Sequence, residues 1–409
     1  MATALIIFLA SYAVIAFQSL PRLHITRPAG ALLGAVAMVV FGVLSLDGAY
    51  RAVDLNTIVF LLGAMIIVAY LEISGFLGMV RSLTLRQART PSQLLALVVL
   101  SSGIMSAVFM NDTICLLFTP MVLKTARELE LNPVPYLIAL AASSNVGSAC
   151  TIIGNPQNML IAVNSGIGFL PFLNALWPVS LLGLGAVYLV VRLVYRRDLA
   201  PKRFERRPEA NPPHLRSWMF LASAATVVLF LALLILDYPP PLAAGGCASL
   251  LIIAGARRPR AALQKVDWEL LLFFSGLFVI VAGISEAGFT GRAFGHFRTL
   301  FHGGRLEHLA WLTAFSTALS NLASNVPAVM LFLKFIPGLE NPKLFWLALA
   351  MSSTLAGNLT VIGSVANIIV FEQSRREVRI GFREYFRCGL PITLATLAIG
   401  VAVLLFTAP

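Results

Sequence analysis

Runs of about twenty apolar residues, nearly free of charge, recur along the whole 409-residue chain. No water-soluble globule buries so many at once, and a helix of that length crosses the hydrocarbon core of a bilayer. Such windows lie at Ala2 to Leu20, Pro28 to Leu46, Leu55 to Val80 and Phe172 to Tyr195, and again at Trp218 to Leu236, Pro239 to Ala256, Trp268 to Ala287 and Phe386 to Phe406. Composition agrees: 58% of residues are hydrophobic and 12% charged, against roughly 25% charged in an ordinary soluble domain. The formal charge of +12 forms no basic patch with interleaved aromatics, so it faces lipid head groups and not nucleic acid. The first twenty residues lack a basic leader and run on into further apolar segments, which reads as a first span.

Four other apolar regions are interrupted. Leu94 to Arg127 and Leu309 to Phe335 are broken midway by polar residues, as in a helical hairpin that enters and leaves by one face. Val134 to Val163 and Leu344 to Phe371 are long helices broken by Gly, Asn, Ser and Thr. Counting the hairpins as re-entrant gives ten crossings. With both termini outside, the cytoplasmic loops then hold 24 of the 30 basic residues, as the positive-inside rule requires of a multi-pass protein of the cell's inner (plasma) membrane. A basic cytoplasmic linker, residues 196–216, separates a first half, 1–195, from a second, 217–409.

The halves repeat each other. Val53-Asp54, an apolar run and Gly75-Phe76 match Val266-Asp267, an apolar run and Gly288-Phe289. Asn111 matches Asn325, while Ser143-Ser144, Thr151, Gly154 and Asn158 match Ser352-Ser353, Thr360, Gly363 and Asn367. Each half has five crossings, one of them broken, plus one hairpin. Five is odd, so the second half is expected upside down relative to the first. Inverted repeats with broken helices place a transport site near the bilayer midplane. The expected fold is therefore an all-α integral membrane protein of two inverted repeats. Its hairpins and broken helices are expected to move, elevator fashion, against a scaffold of the first, second and last crossings of each half.

The polar tips supply helix starts: Met110-Asn111-Asp112-Thr113 in the first hairpin, Asn155 as N-cap with Pro156 following in the first break, and Ser324-Asn325-Val326-Pro327 and Gly363-Ser364 in the second half. Four helix N-termini converging on one cavity would offer free N–H donors and positive dipole ends to an anion or an oxygen-rich neutral solute. The candidate substrate-binding residues are Asn111, Asp112, Thr113, Asn145, Thr151, Asn155, Ser324, Asn325, Thr360 and Ser364. A carboxylate at membrane depth marks a proton or ion path, so Asp112 is the candidate proton-coupling group; as an alternative or in addition, it caps its helix. Glu72 and Glu286 are either relay groups or interfacial residues. Cys115 and Cys150 read as packing residues.

The segments MNDTICLLFTP (110–120), SSNVGSACTIIGNPQN (143–158), SNLASNVPAVMLF (320–332) and SSTLAGNLTVIGSVAN (352–367) resemble the ion transporter superfamily over nearly the whole chain. Within it the Asn111-Asp112 pair before Leu-Leu-Phe-Thr-Pro is most similar to the arsenite/antimonite permeases. The Gly154-Asn155-Pro156 break also resembles the sodium/proton antiporters, and the hairpins depart from the Ser-Asn-Thr typical of the divalent-anion symporters. The resemblance implies proton-coupled efflux of arsenite and antimonite; the alternatives are a sodium- or proton-coupled carrier of small anions, or a sodium/proton antiporter. It implies no cofactor and leaves room for a cytoplasmic ATPase subunit docking on the basic linker. The chain has no HExxH, nucleophile elbow, phosphate loop or metal-ligand spacing, so it is expected to be neither an enzyme nor a primary pump.

Overall fold

In a computed structural model, residues 1–17, 26–76, 79, 87–200, 203–204, 217–254, 259–289 and 304–407 are described. They form eighteen α-helices and no strands. The first half contains α1 (Ala2–Phe17), α2 (Arg27–Val40), α3 (Leu46–Ala52), α4 (Leu55–Ser74), α5 (Pro91–Val108), α6 (Asn111–Glu128), α7 (Val134–Ser148), α8 (Pro156–Ser165) and α9 (Phe169–Val194). The second contains α10 (Ser217–Ile235), α11 (Pro240–Ala254), α12 (Pro259–Leu263), α13 (Trp268–Glu286), α14 (Arg305–Ala323), α15 (Asn325–Phe332), α16 (Pro342–Ala356), α17 (Val365–Ser374) and α18 (Phe382–Thr407). The order of helices is the same in both halves.

Local chemistry explains where these helices begin and stop. Asp54 caps α4 by accepting from the backbone N–H groups of Asn56 and Thr57, and Asp267 caps α13 through the N–H of Leu270. Gly75, at φ 87°, ends α4 in the left-handed conformation that glycine adopts without strain. Several apolar windows overshoot their helices for such reasons. The second stops at Val40, because Gly42 turns the chain at φ 70°, and the third stops at Ser74.

Six described helices are long and apolar enough to cross a membrane: Leu55–Ser74, Pro91–Val108, Phe169–Val194, Trp218–Ile235, Trp268–Glu286 and Phe382–Thr407. The apolar helices α1, α2 and α11 are shorter. Only a few residues of the basic linker are described, and there Ser92 Oγ donates to the Leu199 carbonyl at 2.9 Å, and the Phe204 N–H to that of Arg89 at 3.0 Å. The linker's entry thus lies against the start of α5; its remainder is outside the described residues.

Packing divides the helices into two sets. In the first, α4 packs on α11 and α13 on α2, with α1 and α10 alongside. Both central contacts join a helix of one half to a helix of the other, and both depend on one glycine. A Cβ on Gly63 would fall 2.6 Å from the Ala244 backbone, and one on Gly276 would fall 2.7 Å from that of Ala31. Close backbone approach through small residues is how helices associate in lipid, where burial of apolar surface drives little.

The second set holds the hairpins α5–α6 and α14–α15 and the broken helices α7–α8 and α16–α17. Here the sequence expectation needs correction. The last crossings, α9 and α18, pack on each other and against α5, α7, α14 and α16, while the third crossings, α4 and α13, stay with the first two. Glycines permit this approach, Gly183 against Val146, Gly389 against the Asn358 backbone and Gly400 against Met351, and Ser180 on α9 donates to the Val146 carbonyl of α7 at 2.6 Å.

Matched bonds hold each hairpin to its broken helix. The Ser102 and Ser143 hydroxyls bond at 2.5 Å, as do those of Ser316 and Ser352. The Thr151 hydroxyl donates to the Ala107 carbonyl at 2.5 Å, and that of Thr360 to Asn321 Oδ1 at 3.1 Å. Each break is closed by one asparagine. Asn158 Nδ2 donates to the carbonyls of Ser148 and Thr151, and Asn367 Nδ2 to those of Gly357 and Thr360. Side-chain amides thus satisfy carbonyls that the interrupted helices leave open, as backbone at membrane depth requires.

Candidate functional site

Four helix starts meet at one cavity of about 370 Å³. Asn111 and Asp112 come from the start of α6, Pro156 and Gln157 from α8, Asn325 and Val326 from α15, and Ser364 and Val365 from the entry to α17. Each start leaves N–H groups without an intrahelical acceptor and carries the positive end of a helix dipole. The opposite wall comes from the first helix set: Thr26, Arg27 and Pro28 at the start of α2, and Asp267, Glu269, Leu270 and Phe273 at the start of α13.

The charged side chains of this wall are three acids and one guanidinium: Asp112, Asp267, Glu269 and Arg27. Arg27 attracts the Asp112 carboxylate, and Asp267 repels it. Among the described residues no three His, Cys, Asp or Glu side chains group closely enough to hold a metal ion.

The sequence candidates separate into two layers. Asn111, Asp112, Ser324, Asn325 and Ser364 are on the cavity wall. Asn145, Thr151, Asn155, Thr113 and Thr360 are not. Asn145 is fully buried behind the wall, where its Oδ1 accepts from Asn111 Nδ2 and Ser364 Oγ, both at 3.0 Å. Its Nδ2 donates to Asn358 Oδ1 at 2.9 Å and Asn367 Oδ1 at 3.1 Å. Asn155 caps α8 as its sequence suggests, accepting from the Asn158 N–H at 2.9 Å. Its Nδ2 donates to Ser148 and, across to the other half, to Thr354 Oγ1 at 3.3 Å. Thr151 and Thr360 spend their hydroxyls on the hairpins.

The capping expectation fails at three tips. The N-cap residues are Met110 for α6, Ser324 for α15 and Ser364 for α17, and none makes a side-chain cap bond. Asp112, the second residue of α6, caps nothing, and Ser364 gives its hydroxyl to Asn145 instead. Glu72 lies at the end of α4 in an ion pair with Lys265 at 2.6 Å, and Glu286 is exposed at the end of α13, so neither reaches the cavity. Cys115 bonds to the Ser144 hydroxyl at 3.0 Å and Cys150 to the Gly147 carbonyl at 3.2 Å, away from the wall.

Five polar wall residues escaped the sequence reading: Thr26, Arg27, Gln157, Asp267 and Glu269. Arg27 was legible, since Pro28 behind it marks a helix start and so fixes the arginine at the mouth of that helix. Asp267 was legible as a cap but not as a wall residue, because a cap position gives no azimuth.

Comparison with known proteins bears on this geometry. The CitMHS citrate transporter family matches residues 12–341. The silicon efflux transporter LSI3 of Oryza sativa subsp. japonica is 33% identical, with 95% of this chain and 94% of that protein covered. A Dictyostelium discoideum protein named "Putative transporter arsB" is 26% identical, over 97% of this chain and 90% of its own. Of solved structures, the YdaH transporter of Alcanivorax borkumensis superposes with a TM-score of 0.60 at 16% identity, covering 98% of this chain and 96% of its own. MtrF of Neisseria gonorrhoeae, of a class of antimetabolite efflux pumps, gives 0.60 at 13%, covering 98% and 93%. At these identities the likeness concerns fold alone, an all-helical membrane transporter fold.

Proposed function

The chain belongs to the CitMHS citrate transporter family, within the ion transporter superfamily, and from that premise we propose that it is a proton-coupled carrier exporting arsenite and antimonite. It is a multi-pass secondary membrane transporter and not an enzyme. The observation that carries the substrate reading is the balance of the cavity wall. Four helix starts offer N–H donors to oxygen, yet three acids against one guanidinium oppose a polyanion. A small neutral hydroxide, which both accepts and donates hydrogen bonds, suits such a wall. Arsenic(III) and antimony(III) form such hydroxides in water, and so does silicon, the element in the name of the rice relative.

In this reading Asp112 carries the coupling proton. A carboxyl at membrane depth must be paired, protonated or hydrated, and Asp112 stands on a hairpin while Arg27, Asp267 and Glu269 stand on the other helix set. The matched helix order, the paired Gly63–Ala244 and Gly276–Ala31 contacts and the matched serine and asparagine bonds support an inverted repeat of residues 1–195 and 217–409. The division into two packing sets supports an elevator, with α5–α9 and α14–α18 moving against α1–α4 and α10–α13. The basic residues around α2 and before α13 favour a cavity open to the cytoplasm, with both termini outside the plasma membrane. The basic linker is then the cytoplasmic face where an ATPase subunit would dock. A second reading, a sodium- or proton-coupled carrier of small anions, draws on the family description and on Arg27 in the wall.

Everted vesicles test this directly. An acid-inside gradient should drive arsenite uptake by the parental protein, with no sodium requirement. Asp112→Asn should reach the membrane, since Asp112 caps nothing, and lose gradient-driven uptake while keeping arsenite–arsenite exchange. Citrate uptake in place of arsenite would favour the second reading, and a parental pH response in Asp112→Asn removes the carboxyl from coupling.

A further inference from the structure

An amide's two ends differ chemically, so a chain of amides anchored at one end has a fixed direction. Asn367 supplies the anchor. Its Nδ2 donates to the backbone carbonyls of Gly357 at 2.7 Å and Thr360 at 3.0 Å, and carbonyls only accept. Asn367 Oδ1 therefore faces Asn145, which must donate to it through Nδ2. That turns Asn145 Oδ1 toward the tips, where it takes one N–H of Asn111 and the single hydroxyl hydrogen of Ser364. Both tip residues are on the cavity wall. Ser364 keeps only lone pairs for a ligand, and Asn111 Oδ1 is left buried with no hydrogen-bond partner among the described residues. Asn111 is 4% exposed; a buried carbonyl oxygen without a partner costs free energy that a ligand O–H would recover.

We propose that Asn145, which touches no substrate, fixes the hydrogen-bond polarity of the cavity, turning acceptor oxygens of Asn111 and Ser364 to the ligand so that uncharged solutes donating O–H bonds are selected over ions that only accept. This rests on the functional reading above and assigns it a positioning residue. The network also explains why Asn145 is behind the wall: all of its oxygen and nitrogen capacity toward these partners is used within the protein.

The test compares arsenite, a neutral donor, with sulfate, an ion that only accepts, in liposomes carrying the purified protein. The readout is the ratio of the sulfate inhibition constant to the arsenite KM. Asn145→Leu and the smaller Asn145→Val remove the acceptor that holds both tips. Each should lower the ratio about tenfold, the worth of one such hydrogen bond, through arsenite KM and with maximal velocity per folded protein little changed. Asn145→Asp keeps an oxygen facing Asn111 and Ser364 and should restore most of the ratio. A parental ratio in folded Asn145→Val overturns the inference while leaving arsenite transport standing. A parental protein that takes sulfate or citrate and refuses arsenite overturns the functional reading, and the proposed selectivity with it.

Discussion

Ser324 holds a backbone conformation that side chains avoid, φ 78° and ψ 158°, at the tip of the second hairpin. Its first-half equivalent, Met110, is at φ −56° and ψ 129°, so the strain belongs to one tip and not to the hairpin design. Such residues cost about 1–3 kcal/mol and gather at functional sites, and Ser324 is on the cavity wall. Ser324→Gly should therefore raise stability by about 1 kcal/mol, read as a higher unfolding midpoint in detergent. An unchanged or lower midpoint would mean that the surrounding hairpin imposes no net strain. The strain was not legible beforehand, because serine before asparagine reads as an ordinary helix cap. Asp112 was misjudged in the same way: its spacing suits a cap, and the chain path around Met110 takes that role from it.

At the level of elements, the joints between hairpins and broken helices are made by hydroxyls. Thr151 on the Ala107 carbonyl and Thr360 on Asn321 occupy corresponding places, and both stand off the cavity wall. Thr151→Val and Thr360→Val should each lower stability by about 1 kcal/mol, the worth of one buried hydrogen bond, and leave the arsenite KM within about twofold of parental. Thermal unfolding and transport measured on the same preparations check this; a raised KM at unchanged stability would return either threonine to the substrate layer. The matched spacing found these threonines correctly as a pair. It assigned them to the cavity because spacing locates a residue along a helix break without saying toward which neighbour its side chain turns.

For the whole molecule, the dividing line between the two helix sets is crossed by few polar bonds. One is from Tyr12 on α1, whose hydroxyl donates to the Pro327 carbonyl on α15 at 3.1 Å. Cysteines at 12 and 327, in a background freed of Cys115, Cys150, Cys247 and Cys388, should arrest transport when bridged by a bifunctional thiol reagent. Bridging 72 to 265, the site of an ion pair within the first set, should leave the protein active. Full transport with 12 and 327 bridged would sink the elevator reading. The sequence by itself determined the membrane class, the order of the apolar segments and the positions of the polar tips, because apolar runs and turn residues are local properties. Tertiary structure decided which helices share a packing set and which tip residues face the cavity. It also decided that Arg27, Asp267 and Glu269 join the wall and that Asn145 stands behind it. Each depends on side-chain direction and on contacts between residues as far apart as Asn145 and Asn367, and no periodicity along one chain carries the angle at which two distant helices meet.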